Sequence, residues 1–252
     1  MNKYTLSLST LCLSLIIIVH SPYIHGQDAG LALLDISPTA FGLGLNESGS
    51  IKAQGAANMY QNPSLLMSTN RSSVSLGYTQ WIAETSNLFG GYHKLKEQSA
   101  FAFSFYSSGI QDFEQRDNPG PSNGVFSVQY LSISAGYART IKGIHLGASL
   151  HYLSEEIYPY RSNGYAVNFG ASTSFAKDRI HIGSAIRNLG QMEELDIQAT
   201  PLPKAWISGV AIGLLEWDPP KNPELPLFIQ TYIDFVYPMG DNALVDDNDN
   251  SI

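Results

Sequence analysis

Leu131-Ser132-Ile133-Ser134-Ala135-Gly136-Tyr137-Ala138, followed after a short polar link by Ile144-His145-Leu146-Gly147-Ala148-Ser149-Leu150-His151-Tyr152, is the stretch that decides the fold. Side chains of a β-strand alternate between two faces, so each run reads as a strand with one apolar row and one small or polar row, and the pair reads as a hairpin. The whole segment from Phe126 to Ser154 is long for a soluble protein. Ordinary strands have about 5–6 residues, whereas one crossing a bilayer at a tilt needs about 9–11. A soluble sandwich would show the same alternation with its apolar row as core. The aromatic ends of the rows, Tyr137 and Tyr152, favour a bilayer, whose interfaces take amphipathic rings.

Composition points the same way. Only 14% of the 252 residues are charged, against roughly 25% in soluble domains. The N-terminus carries Lys3, an apolar run to Val19 and a polar Ser21–Gly26 stretch, the pattern of a secretory signal peptide spanning residues 1–26. After it no apolar run approaches the ~20 residues of a spanning helix. The one cysteine, Cys12, lies inside the signal, so the mature chain is expected to use neither disulfides nor a thiol nucleophile. A formal charge of −8 argues against a nucleic-acid partner.

Residues 27–70 lack β periodicity and form a separate N-terminal segment. Small residues from Ala53 to Tyr60 predict a short helix that ends at Asn62-Pro63, since the residue before proline is pushed out of the helical region. Phe41-Gly42-Leu43-Gly44 reads as a glycine turn or short strand. From residue 71 to 252 the chain reads as a transmembrane antiparallel β-barrel. Its strand candidates are Ser72–Thr79, Asn87–Leu95, Ser99–Ser107, Val125–Arg139, Gly143–Ser154, Gly164–Ala176, Arg179–Asn188, Ala205–Leu215 and Leu227–Tyr237. Short links (Lys96–Gln98, Thr140–Lys142, Lys177–Asp178) alternate with long ones (Ser108–Gly124, Glu155–Asn163, Leu189–Lys204), the habit of outer-membrane barrels with short periplasmic turns. Glu216–Pro226 breaks the alternation. On this reading residues 27–70 begin on the periplasmic side and plug the barrel.

Several fragments together resemble the PorV/PorQ-type outer-membrane proteins, relatives of the FadL-like barrels. They are Ile36-Ser37-Pro38, Asn62-Pro63-Ser64-Leu65-Leu66, Ser75-Leu76-Gly77-Tyr78-Thr79-Gln80-Trp81, Gly136-Tyr137-Ala138-Arg139, Arg187-Asn188-Leu189-Gly190 and Leu202-Pro203, in order from about Ala29 to Tyr237. The chain departs from the family at Gln54 and Gly55, where an acidic residue is usual. The resemblance implies about fourteen strands, inside the even-numbered range of such barrels, and hence a C-terminally truncated, incomplete barrel here. It also implies an outer-membrane location in a Gram-negative-type bacterium and a non-enzymatic role in a type IX-like secretion pathway. Its partners would be membrane lipid, secreted cargo proteins and other secretion-complex subunits. The alternative it leaves open is a FadL-like channel for hydrophobic small molecules, with Asn62, Pro63, Leu65 and Leu66 in the plug.

No catalytic constellation stands out. His145 and His151 flank Ser149 on the small-residue row, ahead of Glu155 and Glu156, but no nucleophile elbow accompanies them, and they read as lumen-lining. His93 and His181 are placed likewise, and the four histidines lack a metal-ligand spacing. No cofactor or metal is expected. Asp241, Asp246, Asp247 and Asp249 read as a solvated acidic turn in preference to a calcium loop. Arg187 points inward and calls for an acidic partner. Phe113 and Arg116 in one long link, and Tyr158, Tyr160 and Arg161 in the next, are residue types that anchor protein interfaces and form the candidate partner-binding loops.

Overall fold

The computed structural model describes residues 31–44, 50–51, 55–80, 85–115, 124–176, 178–217 and 227–239. The signal peptide, Arg116 and the terminal aspartates lie outside them. The strands are β1 (Ser73–Gln80), β2 (Ser86–Leu95), β3 (Ser99–Gln115), β4 (Gly124–Ile141), β5 (Ile144–Ile157), β6 (Tyr160–Phe175), β7 (Ile180–Met192), β8 (Ala205–Trp217) and β9 (Leu227–Pro238). They form one antiparallel sheet in the order β1 to β9, each strand beside its sequence neighbour. The sheet is open: among the described residues β1 does not pair with β9.

The two rows read from the sequence take opposite faces, and the faces are inverted relative to a soluble protein. Leu150 is 56% exposed and Phe169 50%, with Leu76, Phe103, Ile133, Tyr137, Leu146 and Tyr152 exposed beside them. Val167 shares their row and is half-buried. The small and polar row is buried: Ser149 is 3% exposed, His151 1% and Asn168 0%. What buries it is the N-terminal segment, which lies along that inner face. This segment comprises the 3-10 turns Ala32–Leu34, Gly55–Tyr60 and Pro63–Ser68 and a five-residue helix, α1 (Ala40–Gly44). Leu31, Leu33 and Leu34 meet Met59, Tyr60, Phe89, Tyr106, Leu153 and Leu202 in the interior cluster.

Four expectations are corrected. The glycine motif at Phe41–Gly44 lies in α1 and not in a turn or strand; Thr39 caps it, its Oγ1 accepting from Gly42 N at 3.1 Å. The Ala53–Tyr60 helix is a 3-10 turn from Gly55, and Asn62-Pro63 starts a second one as much as it stops the first. Proline suits a first helical position because its missing N–H is not needed there. The Glu155–Asn163 link is not a long loop: β5 and β6 run on to a tight turn at Tyr158 and Pro159. Glu156 stands opposite Arg161 in that extension, an opposite-charge cross-strand pair that favours continued pairing. In the Ser108–Gly124 link, β3 likewise continues to Gln115, opposite the start of β4.

Candidate functional site

The N-terminal segment is keyed into the sheet at Asn62, which is fully buried. Its Oδ1 accepts from Ser64 N (3.1 Å) and Ser64 Oγ (2.6 Å), capping the turn that Pro63 opens. Its Nδ2 donates to the Ser50 carbonyl at 2.7 Å. Ser50 in turn donates from N and Oγ to the Asp234 carboxylate on β9, at 3.1 and 2.7 Å, while Ser64 Oγ lies 2.8 Å from Ser172 Oγ on β6. One asparagine thus links the segment to strands on both sides of it.

The sheet leaves room for this approach by omitting side chains. A β-carbon at Gly147 would run into the backbone of Pro63 and Ser64, one at Gly170 into Asn62 Oδ1, and one at Gly183 into the Ser50 carbonyl. Gly147 faces Gly170 and Gly183 faces Gly209 in the register, so the glycines form a slot across β5 to β8. This is the close backbone approach for which a strand glycine is suited.

Beside the slot, the Met59 carbonyl accepts from Ser149 Oγ and Asn168 Nδ2, each at 2.8 Å. His151 is bonded through both ring nitrogens: Nδ1 lies 2.7 Å from Ser134 Oγ, and Nε2 lies 2.9 Å from Ser149 Oγ and 3.2 Å from the Met59 carbonyl. Asn168 Oδ1 accepts from Asn188 N at 2.6 Å, and Asn188 Nδ2 donates to the Pro203 carbonyl at 2.7 Å. The Tyr60 hydroxyl sits among Ser104, Ser132 and Ser134. Burial raises that phenol above its ordinary pKa, against the opposing pull of the three serines. Ser134 and His151 have the contact of a nucleophile and its base, but Tyr60 and Met59 close them off, and their bonding capacity is used in holding the segment.

Arg187 finds its acidic partner in Asp35, at 3.2 Å, and donates to Gln61 Oε1 at 2.8 Å. Burial raises the Asp35 pKa, and the Arg187 charge lowers it by less.

The structure therefore brings Asn62, Pro63, Leu65 and Leu66 together in one buried seat. Tyr158, Tyr160 and Arg161 are exposed at the β5–β6 turn. Phe113 lies in β3 opposite Phe126, toward the same end of the sheet; its side chain and all of Arg116 lie outside the described residues. Sequence reading missed Ser50, Asp234, Gln61 and the glycine slot. The glycines were visible as the small members of the inner row, but nothing local showed that a chain segment would fill the space. No known protein-family model and no curated protein matches the chain.

Proposed function

We propose that this sheet lies in an outer membrane with its apolar row toward lipid, and that the protein handles exported proteins as a non-enzymatic component of a type IX-like secretion pathway. One observation supports the membrane reading above all. An exposed apolar row extending across the strands, backed by a buried polar row, suits a lipid environment, whereas soluble monomers seldom expose apolar patches beyond a few hundred Å².

The secretion role rests on the resemblance to PorV/PorQ-type proteins and agrees with how the N-terminal segment is held. A FadL-like conduit needs a plug that yields, and here the plug is bonded to strands from β2 to β9 and occupies a slot shaped for it. Cargo handling instead places binding energy on the rim, where Tyr158, Tyr160 and Arg161 stand exposed. Such residues, when they are hot spots, contribute about 2 kcal/mol or more each.

The test is a gene deletion complemented by wild type or by the triple variant Tyr158→Ser, Tyr160→Ser, Arg161→Ser. Deletion should leave proteins with C-terminal secretion domains stranded in the periplasm, and the triple variant should insert normally yet fail to restore export. Normal export in the deletion strain, together with lost uptake of a hydrophobic solute, would replace this reading with the channel.

A further inference from the structure

At the short-turn end of the sheet, the chain from Leu65 to Asn70 stands off from β5, β6 and β7 and leaves a cavity of about 380 Å3. That lies within the range of small-molecule sites, about 300–1,000 Å3. Leu65, Met67 and Ile51 make an apolar wall, and His145, Asp178 and His181 line it elsewhere, with Asn70 also contributing.

The polar groups divide into spent and unspent ones. Ser64 and Ser172 bond each other, and Ser174 Oγ donates to Asp178 Oδ1 at 2.5 Å. Thr140 Oγ1 engages Nδ1 of His145 at 2.8 Å, which leaves Nε2. Asp178 retains Oδ2, and neither His181 nor Asn70 has a protein hydrogen-bond partner among the described residues. The unspent set is thus two imidazoles, an amide, a carboxylate oxygen and the Ser68 hydroxyl.

That set selects the ligand by elimination. A carboxylate only accepts, an amide does both, and a neutral imidazole offers one of each. A free anion would meet Asp178, and an acyl chain would make no use of the polar groups. A metal ion is not favoured either, since no group of three or more histidine, cysteine or acidic side chains among the described residues could hold one. A ring carrying several hydroxyls, each able to donate and accept, with a C–H face to lie on Leu65 and Met67, satisfies every group. We propose that this cavity binds a pyranose sugar, either free or as a unit of a glycan strand.

The full chain in detergent micelles, titrated with glucose, N-acetylglucosamine and the tetramer of N-acetylglucosamine and followed by saturation-transfer NMR, tests this. Saturable binding is expected for at least one. Asp178→Asn should weaken it about tenfold or more, the loss of a charge-assisted hydrogen bond, and Asn70→Ala about fivefold. Asn70 is exposed and without a protein partner among the described residues, so its removal reports on the ligand and not on folding. Gln191→Ala, exposed near the opposite end of β7, should leave binding unchanged. A tetramer that binds tighter than either monosaccharide identifies a glycan strand as the source; equal or weaker tetramer binding identifies the free sugar. Absence of saturable binding by all three, or binding indifferent to both Asp178→Asn and Asn70→Ala, overturns the proposal.

Discussion

Arg187 on β7 reaches Asp35 at 3.2 Å across 152 positions of sequence, and so ties the first described segment to the far half of the sheet. The two partners are unequal. Arg187 is 8% exposed at its side chain and Asp35 37%, so the arginine is the one that requires company. Arg187→Ala should loosen residues 31–37 clearly, by about 2–3 kcal/mol given the lost bonds to both Asp35 and Gln61. Asp35→Asn should cost nothing or slightly stabilise the segment near neutral pH, because burial disfavours the carboxylate by more than Arg187 favours it. Hydrogen exchange of the Leu33 and Leu34 amides would rank the two, and the reverse order would contradict this account.

The pH dependence of the same pair has a definite sign. Burial holds the Asp35 pKa above its ordinary value despite Arg187, so the folded state binds the proton more tightly than the unfolded chain. Its contribution is fully present below about pH 4 and is lost as pH rises through the folded value. Protection of residues 31–37 should therefore decline over that interval in the wild type, and this component should vanish in Asp35→Asn. Protection that rises with pH in the wild type but not in the variant would mean that the arginine dominates.

The glycine slot predicts damage from a single methyl group. Gly170→Ala sets a β-carbon against Asn62 Oδ1, and Gly147→Ala sets one against the Pro63–Ser64 backbone. Overpacking of this kind costs about 1–3 kcal/mol, and the N-terminal segment is the part able to yield. Limited proteolysis should cut between residues 50 and 66 in both variants, while Gly124→Ala, where the added carbon meets nothing within 4 Å, stays resistant. Equal resistance in all three would mean that the segment has another seat.

Asn168 offers a test of the buried network. Asn168→Ala removes one of the donors to the Met59 carbonyl, which Ser149 Oγ still serves, and the acceptor of the Asn188 N–H. Asn168→Asp retains an acceptor for Asn188 but cannot donate to Met59, and its buried charge would have to protonate or be paired. An orphaned buried group costs about 1–3 kcal/mol, and the Asn188 N–H is the one left without its partner, so the alanine variant should lose about 1–3 kcal/mol in chemical denaturation. A loss under about 1 kcal/mol would show that water replaces the side chain at little cost.

The environment of the outward row can be read at Leu150. In a bilayer, Leu150→Arg at mid-depth should cost about 2–4 kcal/mol and impair assembly into liposomes. In a water-soluble protein, an arginine at a position already 56% exposed would be harmless or would raise solubility. Ser149→Arg does not serve as a mild control, because Ser149 is buried against Met59 and an arginine there displaces the segment.

The sequence by itself determined the strands and their faces. Alternation at a period of two is a local property, so Ile133, Leu146 and Leu150 could be separated from Ser134, Gly147 and Ser149 without knowledge of anything beyond the hairpin. Arg187 as an inward charge was legible for the same reason, whereas Asn62-Pro63 read only as a helix stop and part of the plug. The tertiary structure alone decided what fills the inner face: that Asp35 answers Arg187, that Asp234 receives Ser50, and that Gly147 and Gly170 stand empty for Pro63 and Asn62. These contacts join segments 84 to 184 residues apart, and no local pattern specifies which distant backbone will occupy a gap left by a missing side chain. The turn at Tyr158 and Pro159 was hidden for a related reason. Polar residues in sequence read as loop, and only the register that sets Glu156 against Arg161 shows them to be strand.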